Sequence, residues 1–198
     1  MTHQIRLASS EDARQIRSIY EPYVESTPIS FEVDPPMTAE MAERIETTLD
    51  QHPWLVCERE DGTILGYTAA SPLRSTPPYD WTAELSVYVA DEAQNSGIGT
   101  ALYTALLETL NVQGYRNAYA VTTLPNPASV RLHERMEFEP VGTFPAVGYK
   151  NGEWHDIQWW YRQVTEHTPD PARPHPLSAV QSSELAHAFA TGEAHFDS

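Results

Sequence analysis

The chain has 198 residues, 40% of them hydrophobic, which is enough for one compact domain with a real core and a short appendage, and no apolar run approaches the length that spans a bilayer. Its formal net charge is −16 and its only lysine is Lys150, so the surface repels nucleic acid and anionic membranes, and the composition resembles that of proteins from salt-loving cells, whose salt screens self-repulsion. The N-terminus, MTHQIRLASSED, has no apolar signal region, and the single cysteine, Cys57, sits in the apolar stretch WLVCE, so the chain reads as cytoplasmic with a buried free thiol.

Residues 5–9, IRLAS, alternate and read as an edge-type strand. SSEDARQIRSIYEPYVES then places Ile16, Ile19, Tyr20 and Tyr23 at helical spacing, with Ser9 or Ser10 as cap and Glu11 and Asp12 in the favourable first turn. TAEMAERIETTLDQH, 38–52, repeats the pattern with Thr38 as cap and Met41, Ile45 and Leu49 on one stripe. The period then changes to two. WLVCERED and TILGYTAAS flank Asp61-Gly62, a hairpin signal because that pair tolerates the positive φ of a tight turn.

TAELSVYVA, 82–90, is the next strand, and a helix over 97–113 follows it, ended by Gly114. RNAYAVTT reads as the strand after a crossover helix, and NPASVRLHERM, 126–136, as a short helix. FEPVGTFPAVGYK and EWHDIQWWYRQ close around a second hairpin signal, Asn151-Gly152. The expected order is β-α-α-β-β-β-α-β-α-β-β, a domain over 1–164. From 165 the proline-rich stretch HTPDPARPHP cannot hold a ladder, and SAVQSSELAHAFATGEAHFDS has at most one short amphipathic helix, so 165–198 reads as a partly flexible appendage outside the core. Its histidines, His167, His175, His187 and His195, lack metal-ligand spacing and read as solvated; no metal is expected.

The stretch YVADEAQNSGIGTALYTALL, 88–107, joins a strand to a helix through a polar turn with glycines at 97 and 99. A helix N-terminus carries unpaired N–H groups and partial positive charge, so it takes an anion where glycine lets the backbone approach. A lone G-x-G is more often only a tight turn. Here Gln94, Asn95 and Ser96 add donors, and neither a Walker pattern nor a dinucleotide fingerprint fits.

Gln94-x-x-Gly97-x-Gly99 resembles the Q/R-x-x-G-x-G/A signature of the GNAT acyl-CoA N-acyltransferases, and the element order matches that α/β fold, a central mixed, mostly antiparallel sheet flanked by helices. YDWTAELSVYV (79–89), LPNPASVRLHE (124–134) and GEWHDIQWW (152–160) together resemble the phosphinothricin and methionine sulfoximine N-acetyltransferases. The likeness covers about residues 4–163. It implies acetyl-CoA as cosubstrate, with its pyrophosphate on the turn formed by Gln94, Asn95, Ser96, Gly97, Ile98, Gly99 and Thr100, and its pantetheine paired with the backbone of Val87, Tyr88 and Val89. Two positions depart from the family: Asn95 stands where arginine is frequent, and Met136-Glu137-Phe138 where L-G-F is usual. A positive φ at Glu137 costs about 1 kcal/mol.

The resemblance also assigns chemistry. Glu84, in the T-A-E element, is the expected general base, and it shares a strand face with Ser86 and Tyr88, away from Leu85, Val87 and Val89. Without the motif it reads as a solvent-facing carboxylate. His133 stands where many members place a tyrosine acid, so a proton relay is expected there; the alternative is a helix-surface histidine beside Glu134 and Glu137. Asn126 is expected on the pantetheine arm and Ser129 near the cofactor, although Asn before proline is also an ordinary helix start. Arg74 is the expected carboxylate clamp, with Phe31 and Tyr79 on the acceptor wall; a surface arginine and packed aromatics are the alternatives. His155-Asp156 suggests a hydrolase, but no G-x-S-x-G elbow accompanies it. The implied activity is acetyl transfer to a small amino-acid-like amine by a homodimer. A protein N-acetyltransferase and a non-catalytic CoA sensor are the alternatives.

Overall fold

The computed structural model describes residues 3–196. Strands β1 (His3–Leu7), β2 (Trp54–Arg59), β3 (Ile64–Pro72), β4 (Thr82–Val89), β5 (Asn117–Leu124), β6 (Glu139–Lys150) and β7 (Glu153–Gln163) form one sheet in the order β1-β2-β3-β4-β5-β7-β6. Every neighbour pair is antiparallel except β4 and β5, which the crossover helix α3 (Ile98–Gln113) makes parallel. Helices α1 (Ala13–Ser26) and α2 (Thr38–Leu49) cover one face of the sheet, and α3 covers the other. Both faces being covered, β2 and β3 read as continuous apolar runs: Trp54 and Val56 pack towards α1 and α2, while Leu55 and Cys57 pack towards α3. Burial pushes the Cys57 thiol up to about 12, which makes it inert.

The strands and hairpins follow the expected order. Asn151 and Gly152 both take positive φ, 53° and 84°, as a two-residue turn requires. In the first hairpin only Gly62 does so; the Asp61 carboxylate instead accepts from the Thr63 N–H at 3.0 Å and closes a longer loop. Thr38 is not the cap of α2. Met37 holds the extended capping backbone and its carbonyl accepts from Met41 N–H, so Thr38 already lies in the first turn.

The C-terminal segment does not stand outside the core. Helix α5 (Ser182–Glu193) lies on α3, and Gly192 makes this crossing feasible: a Cβ there would sit 2.5 Å from the Ala101 carbonyl. Phe189 and Phe196 pack on the core beneath α3, and the Glu193 carboxylate accepts from the Ile5 N–H at 2.6 Å. The proline-rich stretch forms no ladder, as expected, yet it is tied down by side chains: Gln113 donates to the His175 carbonyl and Trp81 to that of Ala172.

Candidate active site

Pairing of β4 with β5 stops at Leu85 and Ala120. Beyond that point β4 stays with β3 while β5 follows β7, so the two parallel strands splay and open the sheet. Ala90 N–H bonds Leu65 O, and the alternation of an antiparallel ladder then turns the N–H and C=O groups of Val87 and Val89 away from β3, into the gap. A cavity of about 760 Å³ fills this gap, lined by Glu84 to Val89 on one side and by Val121 to Thr123 on the other.

One end of the cavity is the turn before α3. Asn95 and Gly97 take positive φ, 59° and 88°, and the N–H groups of Asn95, Ser96, Gly97, Ile98, Gly99 and Thr100 have no protein acceptor among the described residues. Such a concave run of free donors at a helix N-terminus fits a diphosphate. Side chains contribute less than expected: Ser96 Oγ donates to Ala93 O and Gln94 Nε2 to the Tyr23 hydroxyl. Tyr23 in turn donates to Val89 O at 2.6 Å, so α1 braces the end of β4.

At the other end stands Glu84, half-buried, its carboxylate without a hydrogen bond or ion pair among the described residues. Burial raises its carboxyl above the usual range, and the charge of Arg74 only partly opposes this. His133 is not on the helix surface. It is 2% exposed on α4 (Pro127–Arg135) and stacked on Trp160 with ring centroids 5.3 Å apart. Its Nδ1 lies 2.8 Å from Ser129 O, an acceptor only, so Nδ1 carries the proton and Nε2 is free to accept. Burial drives its pKa down to about 4, so the ring is neutral at pH 7. Facing Nε2 at 3.4 Å is the hydroxyl of Tyr103, a fully buried residue of α3 that also lines the cavity. Sequence reasoning misses Tyr103; its signal is a single hydroxyl-tipped aromatic in the run ALYTALL, which is apolar but for it and Thr104.

Of the other expected residues, Asn126 and Ser129 line the cavity and are partly engaged in local structure. Asn126 Oδ1 caps α4 by accepting from Ser129 N–H, which leaves its amide NH2 available, and Ser129 Oγ lies 2.9 Å from Thr122 Oγ1. Phe31 forms part of the wall and lies so close to Gly148 that a Cβ there would be 2.2 Å from its ring. Arg74 and Tyr79 do not line the cavity: both are exposed on the β3–β4 connection, and Arg74 bonds only its neighbour's carbonyl, Leu73 O. The hydrolase reading fails, since His155 bonds Lys150 O and Asp156 accepts from the Ala146 N–H at the bulge in β6.

The geometry agrees with known proteins. Residues 5–159 match the acetyltransferase (GNAT) domain. The phosphinothricin N-acetyltransferase of Streptomyces viridochromogenes is 39% identical over 171 residues, 86% of this chain and 92% of that protein. The L-methionine sulfoximine/L-methionine sulfone acetyltransferase of Pseudomonas aeruginosa is 33% identical over 89% of this chain and all of that one. A phosphinothricin acetyltransferase from Sinorhizobium meliloti, solved in complex with acetyl-CoA, superposes with a TM-score of 0.84 at 34% identity, covering 91% of this chain and 98% of that one. The fold is thus shared over most of the chain, and the chain belongs to the GNAT acetyltransferase family.

Proposed function

We propose that the protein is an acetyl-CoA-dependent N-acetyltransferase acting on the α-amine of a small amino-acid-like substrate of the phosphinothricin or methionine sulfoximine type. The observation that carries this reading is the placement of Glu84: an unpaired, half-buried carboxylate in the same cleft whose far end presents the free N–H groups of residues 95–100. Relatives named for those two substrates, similar over most of the chain, support the substrate class.

Bound acetyl-CoA supplies the acetyl group as an activated thioester. The N–H groups of 95–100 hold its diphosphate, the outward N–H and C=O of Val87 and the N–H of Val89 pair with the pantetheine, and the Asn126 amide donates to the same arm. Glu84 takes the proton from the acceptor's ammonium, directly or through water; an α-amino group titrates near 8, so a carboxylate of raised pKa suffices. Tyr103 holds a proton on the opposite side of the cleft, oriented by neutral His133, whose role is thus that of an acceptor within the relay. Phe31 walls the amine, and Arg74, exposed beside the cleft with its charge reaching Glu84, is the cation that meets the substrate carboxylate.

The β6–β7 hairpin exposes Val141, Phe144, Val147, Tyr149 and Trp154, which supports a homodimer through this face; a monomer by light scattering at micromolar concentration would contradict it. The net charge of −16 opposes the approach of anionic CoA, so the KM for acetyl-CoA falls as salt rises towards molar levels. The direct test is thiol release from acetyl-CoA across phosphinothricin, methionine sulfoximine, methionine sulfone, common amino acids and a peptide amine. Turnover with the tetrahedral analogues supports the assignment. Turnover with the peptide alone makes the acceptor a protein, and an unchanged rate in Glu84→Gln removes the base.

A further inference from the structure

Ile29 to Glu32, in the loop between α1 and α2, wall the cleft, yet the groups that fix this loop include the end of β6, which contributes nothing to the cleft's lining. We propose that Lys150 and Gly148 are positioning residues of the amine site: Lys150 sets the path of the loop, and Gly148 leaves the space in which the Phe31 ring stands. This rests on the reading of the cleft as the site of an amine N-acetyltransferase.

Lys150, the only lysine of the chain, is 9% exposed. Its Nζ donates to Val24 O and, at 2.7 Å, to Ser30 O. Val24 O is among the last four carbonyls of α1, which find no partner within a helix and carry its partial negative charge. Ser30 O belongs to the loop itself. One ammonium thus ties the end of α1, the acceptor loop and the end of β6 together. The chain otherwise draws its permanent side-chain cations from arginine, whose guanidinium is a planar fork. Two carbonyls approaching from different elements instead suit the side chain whose three donors radiate from a single atom.

Strand register puts Gly148 on the same face as Lys150. β6 bulges between Phe144 and Gly148, Asp156 Oδ1 holds the bulge by accepting from Ala146 N–H at 2.7 Å, and pairing resumes with Gly148 opposite His155. His155 Nε2 donates to Lys150 O at 2.9 Å, and its ring centroid lies 6.4 Å from that of Phe31. The His155-Asp156 pair that suggested a hydrolase therefore shapes this corner. The loop is also held from the side of α1: Ser30 Oγ accepts from Glu32 N–H and lies 2.7 Å from the Tyr20 hydroxyl, which donates to the Glu32 carboxylate, itself paired with Arg44. With the loop held from both sides, a Cβ on Gly148, 2.2 Å from the Phe31 ring, must displace the ring and not the backbone.

Steady-state kinetics of the full chain with methionine sulfone or phosphinothricin, whichever has the lower KM, and isothermal titration with CoA test the assignment. Lys150→Met keeps the length of the side chain and removes its donors. It should raise the amine KM about tenfold, the scale of one charge-assisted hydrogen bond, while kcat and CoA affinity stay within about twofold, as loss of amine binding alone requires. Gly148→Ala should raise the same KM, and should change nothing in a Phe31→Ala background, where the ring it displaces is gone. If Lys150→Met does not fold, this cycle decides alone. An unchanged amine KM in either variant, CoA binding weakened as much as the amine, or a Gly148→Ala effect that persists without Phe31 would overturn the inference while the acetyltransferase stands. No turnover of either amine by the unaltered protein would overturn the underlying reading itself.

Discussion

Tyr103 and His133 meet across the contact of α3 with α4, phenol oxygen to Nε2 at 3.4 Å, both buried and both on the wall of the cleft. The Nδ1 proton is committed to Ser129 O, so the phenol is the donor of the pair. Burial and the Glu84 charge both raise the phenol pKa, which keeps the proton on Tyr103 at every working pH.

Tyr103→Phe keeps the ring and removes that proton. We expect kcat to fall by about a hundredfold, the usual scale for a positioned acid, with CoA affinity by calorimetry unchanged. A variant with full kcat would leave the pair a purely structural contact.

The carboxylate form of Glu84 is the active one, so kcat/KM should rise with pH through a limb lying above the ordinary carboxylate range. Arg74 lowers this pKa, and removing its charge must raise it. Arg74→Gln should therefore move the acid limb to higher pH as well as raise the KM for the amine. An acid limb that stays put would mean that Arg74 acts on substrate alone.

Burying a neutral His133 links stability to pH. Its unfolded pKa is near 6.5 and its folded value about 4, so as pH falls through that window the unfolded chain takes up a proton that the folded chain refuses. Stability contributed by the neutral ring is full above about 6.5 and is lost progressively down to about 4, a total of about 3 kcal/mol. Urea unfolding at several pH values should show this slope in the unaltered protein and a shallower one in His133→Gln.

Glu137 sits at φ 58° after α4, where its side chain is exposed and its ion pair to Arg162 is long. Glu137→Gly should stabilise the fold by about 1 kcal/mol, less the small worth of a surface pair. A loss of stability would mean that the Arg162 contact outweighs the backbone strain.

The elements most legible in the sequence were those with a local cause. Asn151-Gly152 demands its turn, Gly114 takes φ 91° to end α3, and the alternation in β4 sets Glu84 apart from Leu85. Glu137 took the positive φ that its place after the helix implied. What escaped depends on distant partners. Tyr103 reads as core because only the arrival of α4 makes its hydroxyl consequential. The small residues of α5 read as a weak helix because Ala188 and Gly192 acquire meaning only against α3. Arg74 and Tyr79 do not line the cavity, since the β3–β4 connection holds both exposed beside it, a placement that residue spacing does not encode.

The contact of Glu193 with Ile5 bears on how the sheet ends. Strand β1 is terminal, and an unpaired N–H there would invite a foreign strand; the carboxylate occupies the one at Ile5 and α5 shields its flank. At the opposite border, β6 presents exposed apolar residues, but Pro140 and Pro145 remove two of its donors. Both borders of the sheet are thus guarded, one by a carboxylate and a helix and the other by its own prolines, so that growth of the sheet into a fibre by strand addition is disfavoured at either side.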